Sequence, residues 1–173
     1  EDAELAYYGI GLHLGTPVSQ NAHGDLLGHV RDEDLPDPDH PSVRLYRTRK
    51  RQDFHTDGAD VIGLLCLRAA KRGGASRIVS SLSVFNEILR RRPDLVDALF
   101  EPFWFDRNEE QRAGEPPAFP LPICSLREGR LRTFYIGWYI RGAQRHPSST
   151  RSVRRPSMAR PSASRVIFDP PAA

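Results

Sequence analysis

His55-Thr56-Asp57, with the uninterrupted apolar run Val61-Ile62-Gly63-Leu64-Leu65-Cys66-Leu67 close behind it, most narrows how this chain can fold. In an extended segment, residues i and i+2 point to the same side. The imidazole of His55 and the carboxylate of Asp57 therefore converge, while Thr56 turns away. An apolar run without polar alternation is the pattern of a strand covered on both faces. The pair is thus expected at the mouth of a buried strand, where two such side chains can take adjacent positions on one metal ion. A third ligand would complete the two-histidine, one-carboxylate arrangement that leaves positions open on Fe(II). The competing reading is a strand-end histidine and a turn aspartate ahead of Gly58.

The residues beyond the apolar run keep a regular order. Lys71-Arg72-Gly73-Gly74 is a turn, with Ala75 and Ser76 after it, and Arg77-Ile78-Val79-Ser80 reads as the next strand. Leu82, Phe85 and Leu89 stand at helical spacing, with Ser81 or Ser83 as the N-cap and Arg90, Arg91 and Arg92 in the last turn, where they suit the helix dipole. Pro93 ends this helix and opens a second, Asp94 to Phe100, closed by Pro102.

The sequence Asp53-Phe54-His55-Thr56-Asp57-Gly58, then an apolar strand, then Gly73-Gly74-Ala75-Ser76, then a helix, resembles the TauD/TfdA family of Fe(II)/2-oxoglutarate-dependent dioxygenases. The resemblance runs from about Leu5 to about His146. It implies a mainly β fold with flanking helices, the double-stranded β-helix or jelly roll, with the histidine–aspartate turn at its mouth. It implies that His55 and Asp57 are iron ligands and that Ser76 offers a hydroxyl to the distal carboxylate of 2-oxoglutarate. It implies Fe(II) as cofactor, 2-oxoglutarate as co-substrate, and O2 with a small organic substrate as partners. Family members carry a second ligating histidine and a carboxylate-binding arginine on later strands. No segment here matches either. His146, the only histidine after Asp57, stands between Arg145 and Pro147. The jelly roll is therefore expected to be incomplete at the C-terminus, with open sheet edges, marginal stability and impaired activity.

The remaining elements are read from local pattern. Residues 5–18 hold Gly9, Gly11 and Gly15, which miss the dinucleotide fingerprint, and Pro17 argues against a helix. A strand or helix end leading into a turn is expected. Gln20 and Asn21 are either turn amides or ligand contacts. Leu26–Val30 and Val43–Arg49 are strand candidates. Between them lies an acidic, proline-rich loop, residues 31–42, and the basic cluster Arg47, Arg49, Lys50 and Arg51 reads as a solvated strand end beside it. Phe103–Asp106 reads as a strand and 108–122 as a long loop. Glu128-Gly129 reads as the turn of a hairpin joining Ile123–Arg127 to Arg130–Ile136. Trp138 and Tyr139 are core aromatics or the wall of a pocket.

Charge is divided unevenly over the 173 residues: 147–173 hold five arginines against Asp169 alone, so the net charge of +3 belongs to the tail. A near-neutral body gives no reason to expect nucleic-acid binding by the fold. Residues 1–146 are expected to form the partial dioxygenase domain and 147–173 a disordered Arg/Ser/Pro-rich tail. A non-catalytic interaction protein using that basic tail is the competing functional class. Cys66 and Cys124 are expected as buried free thiols, which suits a reducing cytoplasm. No run of about 18 apolar residues exists, so no membrane span is expected, and nothing near the start looks like a signal peptide. The opening Glu1 in place of Met suggests a fragment or a processed chain. Oligomeric state is not readable.

Overall fold

A computed structural model of the chain describes residues 2–146 apart from Ala22 and Pro41. The expectation of a disordered tail over 147–173 lies outside the described residues.

The chain opens with a helix, α1 (Asp2–Leu14), where a strand or helix end was expected. Pro17 does stop a helix, but it does so from beyond the last turn, where proline is common. Asp2 and Glu4 occupy the first turn and His13 the last, matching the helix dipole. The Glu4 carboxylate meets the His29 imidazole at 2.6 Å, and a Cβ at Gly63 would collide with the Tyr7 hydroxyl, so α1 lies along the apolar run.

Residues 15–80 are largely irregular. Leu26–Val30 forms no strand, and Val43–Arg49 holds a single 3-10 turn, Leu45–Arg47. Two backbone bonds, Arg31 N–H to Tyr46 C=O and Glu33 N–H to Arg47 C=O, both 3.0 Å, lay the acidic loop beside the basic cluster. Charge then fastens them: Arg47 to Glu33 at 2.8 Å, Arg49 to Asp32 at 2.5 Å and to Asp34, and Lys50 to Asp39. The cluster lies beside the acidic loop as expected, but at the end of a 3-10 turn and not at a strand end.

Val61–Leu67 and Arg77–Ser80 are exposed coil rather than the expected strands. A strand exists only by its ladder, and among the described residues no backbone hydrogen bond reaches a neighbouring segment from 57–79. The apolar pattern is present without a partner to pair with.

From Ser80 onward the local sequence pattern is followed closely. The Ser80 hydroxyl accepts from the Ser83 N–H at 3.3 Å and caps α2 (Ser81–Arg91), one residue before the expected cap. Pro93 opens a 3-10 turn, Pro93–Leu95, that runs into α3 (Val96–Leu99), and Phe85 meets Phe100 edge-on at 6.1 Å. Then β1 (Pro102–Asp106) pairs antiparallel with β2 (Ala118–Pro122), which occupies the end of the expected loop. β3 (Cys124–Arg127) pairs with β4 (Arg130–Thr133) around Glu128-Gly129, both at positive φ (53° and 73°), as a two-residue hairpin turn requires. α4 (Gly137–Ala143) packs on β1. Among the described residues the strands form these two ribbons, not the two facing sheets of a jelly roll.

The core is small and lies where β1, β2 and α4 meet. Phe105, Ala118 and Ala143 are fully buried, with Phe105 against Phe119 at 5.8 Å and Phe134 at 5.2 Å. Asp106 is buried beside them. It accepts from the Asn108 N–H at 2.8 Å and forms an ion pair with Arg145, whose Nε lies 3.1 Å from the carboxylate, and His146 Nε2 stands 3.3 Å from it. Gly142 permits this, because a Cβ there would come within 2.9 Å of the Asp106 carboxylate. Arg44 bridges Glu110 and the Tyr139 hydroxyl on the same side.

Candidate site at the His55–Asp57 turn

The His55 and Asp57 side chains do turn toward one another, with Nε2 and Oδ1 3.9 Å apart. The local chain explains the imidazole's aim. Its Nδ1 lies 2.8 Å from the Asp53 carbonyl, which can only accept. Nδ1 therefore carries the proton, and in the neutral ring Nε2 is left with its lone pair facing Asp57. Thr56, between them, faces the other way. Its N–H donates to the Tyr135 carbonyl at 2.9 Å, and its hydroxyl oxygen accepts from the Tyr135 N–H at 2.7 Å. The loop is thereby added to the segment that leaves β4, itself tied to Ile123 by the Phe134 N–H at 2.8 Å.

Behind His55 stands Trp138, from the first turn of α4, with ring centroids 4.9 Å apart and planes at 67°. Arg141, one turn later, lies 3.8 Å from the Asp53 carboxylate. His55 is a quarter exposed and Asp57 half exposed, so the pair opens to solvent on one side and is backed by aromatic surface on the other.

The donor set suits a divalent cation of intermediate hardness: one neutral imidazole nitrogen and one carboxylate oxygen. Two ligands about 2.1 Å from an ion and at about a right angle stand about 3 Å apart. The observed 3.9 Å is about 1 Å longer than that. Among the described residues no group of three His, Cys, Asp or Glu side chains is arranged to hold an ion. His146 sits on Asp106 in the core polar cluster.

Ser76 is in exposed coil between Gly74 and α2. Gln20 and Asn21 are turn amides: Asn21 Oδ1 accepts from the His23 N–H at 2.9 Å, and Gln20 Nε2 donates to the Val18 carbonyl at 2.7 Å. Cys124 is buried and Cys66 exposed, both free, so only one of the two thiols is placed as expected. The roles of the Asp53 carbonyl and of Tyr135 had no sequence signal, since both act through the main chain. Trp138 was readable only as an aromatic. Among the described residues no helix is long and apolar enough to cross a membrane.

The family described as "Taurine catabolism dioxygenase TauD, TfdA family" matches residues 1–164. FR-33289 synthase of Streptomyces rubellomurinus is 36% identical over 127 residues, 73% of this chain and 38% of the relative. The taurine hydroxylase-like protein SAT17 of Stachybotrys chartarum is 36% identical over 141 residues, 73% of this chain and 34% of the relative. A uridine-5'-phosphate dioxygenase from an Amycolatopsis species is 31% identical over 122 residues, 62% of this chain and 42% of the relative. The matches thus span about two fifths of these curated relatives.

Proposed function

Because the chain belongs to the TauD/TfdA dioxygenase family, we propose that His55 and Asp57 are two of the ligands of an Fe(II) site serving 2-oxoglutarate-dependent oxidation of a small organic molecule by O2. The observation that carries this reading is the convergence of Nε2 and Oδ1, with the imidazole tautomer already set by the Asp53 carbonyl. When bound, Fe(II) and 2-oxoglutarate supply the electrons with which O2 attacks a C–H bond. The chain's own contribution is to hold the two donors on one side of a short loop, to keep Thr56 out of the way by engaging Tyr135, and to back the imidazole with an indole. Ser76, on the resemblance of Gly73-Gly74-Ala75-Ser76, is proposed as a co-substrate hydroxyl. The family's jelly roll is proposed as the architecture into which the two ribbons fit.

Two protein ligands hold an ion less tightly than three. We therefore propose that this chain by itself binds Fe(II) weakly and turns over poorly. Anaerobic titration with Fe(II) and 2-oxoglutarate, monitored through the visible metal-to-ligand absorption band, tests the reading. A band in a longer chain of the relatives' length, weak or missing in these 173 residues, is the expected result. No band in either removes the assignment.

A further inference from the structure

We propose that Trp138 is a positioning residue for His55: the edge-on indole fixes the imidazole in the orientation that donates Nδ1–H to the Asp53 carbonyl and presents Nε2 to Asp57. The inference rests on the proposed metal site for its consequence, but its geometry stands alone. An imidazole held by a single hydrogen bond can still swing about its side-chain torsions, because the terminal torsion of histidine is broad. Here the Asp53 carbonyl holds one edge of the ring at 2.8 Å. The indole meets the ring at 4.9 Å and 67°, within the range of favourable aromatic pairs. A carbonyl on one side and an aromatic edge on the other leave one orientation.

Trp138 is itself well placed to act as a stop. It lies in the first turn of α4, and α4 is seated on β1 through Gly142 against the buried Asp106. Its other neighbour, Tyr139, meets it edge-on at 6.0 Å and is anchored by Arg44. The loop carrying His55 approaches the same segment at two further points, Thr56 on Tyr135 and Asp53 on Arg141. Three contacts from Asp53–Thr56 thus fall on Tyr135–Arg141, and only that of Trp138 touches a proposed ligand. Outer contacts of this kind commonly change metal affinity by an order of magnitude or more without supplying a ligand.

The test uses the 15N-labelled full chain. Long-range 15N–1H correlation spectra of the histidine rings, at about pH 8 where imidazole is neutral, report which nitrogen holds the proton. Wild type is expected to show His55 protonated on Nδ1, with nuclear Overhauser contacts between its ring and the Trp138 indole. Trp138→Phe keeps an aromatic edge and should retain the Nδ1–H form. Trp138→Leu should give a mixture of tautomers and a Co(II) affinity about threefold to tenfold weaker by calorimetry. Asp57→Ala should abolish Co(II) binding and leave the tautomer unchanged. Absence of the ring contact in wild type overturns the proposal, as does a wild-type tautomer signature in Trp138→Leu. Should the leucine variant fail to fold, Trp138→Met is read in the same way. If wild type binds no Co(II) while the ring contact and the tautomer behave as described, the positioning role stands, and the metal reading falls only if a longer chain of the relatives' length binds none either.

Discussion

Thr56 and Tyr135 exchange two hydrogen bonds, N–H to C=O at 2.9 Å and N–H to hydroxyl at 2.7 Å, across a sequence separation that no local signal spans. The loop bearing the His55–Asp57 pair is thereby fixed to the hairpin that β3 and β4 form. Thr56→Val keeps the shape and loses the acceptor. It is expected to cost about 1 kcal/mol in urea unfolding, with Thr56→Ser restoring most of it. An unchanged midpoint for Thr56→Val would show that the exchange contributes nothing.

Asp106 is 4% exposed and answers to Asn108, Arg145 and His146. Asp106→Ala leaves the Asn108 N–H without its acceptor and takes the nearest carboxylate from the half-buried Arg145 guanidinium. A loss of about 3 kcal/mol is expected, measured by denaturant unfolding. A neutral result would mean that water replaces the carboxylate at no cost.

Glu128 holds φ 53° in the hairpin turn, a conformation that asparagine adopts more readily. Glu128→Asn should raise stability by about 0.5 kcal/mol, while Gly129→Ala, at φ 73°, should lower it by about 1 kcal/mol. Thermal unfolding of the two variants side by side reads both signs.

Burial pushes the Cys124 thiol above its ordinary range. The unfolded thiol gives up its proton at about pH 8.5 and the folded one only at higher pH, so the folded state holds the proton more tightly. This contribution to stability is complete below about pH 8.5 and lost as pH climbs through the folded value. Tyr139 adds to the same trend at higher pH, since burial raises its hydroxyl against the opposing pull of Arg44. Stability should fall as pH rises above about 8.5, and less so in Cys124→Ala. Under native conditions a thiol reagent should label the exposed Cys66 alone.

The second half of the chain was legible because its signals are local. Pro93, the serine cap of α2 and Glu128-Gly129 each determine backbone geometry within a few residues, and the structure matches them to within one position. Val61–Leu67 was misread because apolar continuity reports what a segment would bury, not what lies beside it. Without a pairing strand its N–H and C=O groups face solvent. The convergence of His55 and Asp57 was readable from i, i+2 geometry. Asp53, Tyr135 and Trp138, which orient the pair, were not, since two act through main-chain atoms and the third arrives from a helix 83 positions on.

Gly142 has a reach beyond its own position. A single methyl there meets the Asp106 carboxylate at 2.9 Å, so either the carboxylate turns off its partners or α4 lifts from β1. The indole sits one helical turn back along the same rigid rod, so the lift would carry it off the imidazole. Tolerance to change at the candidate metal pair is thus governed in part by a residue with no functional group, acting as the fulcrum of a short lever.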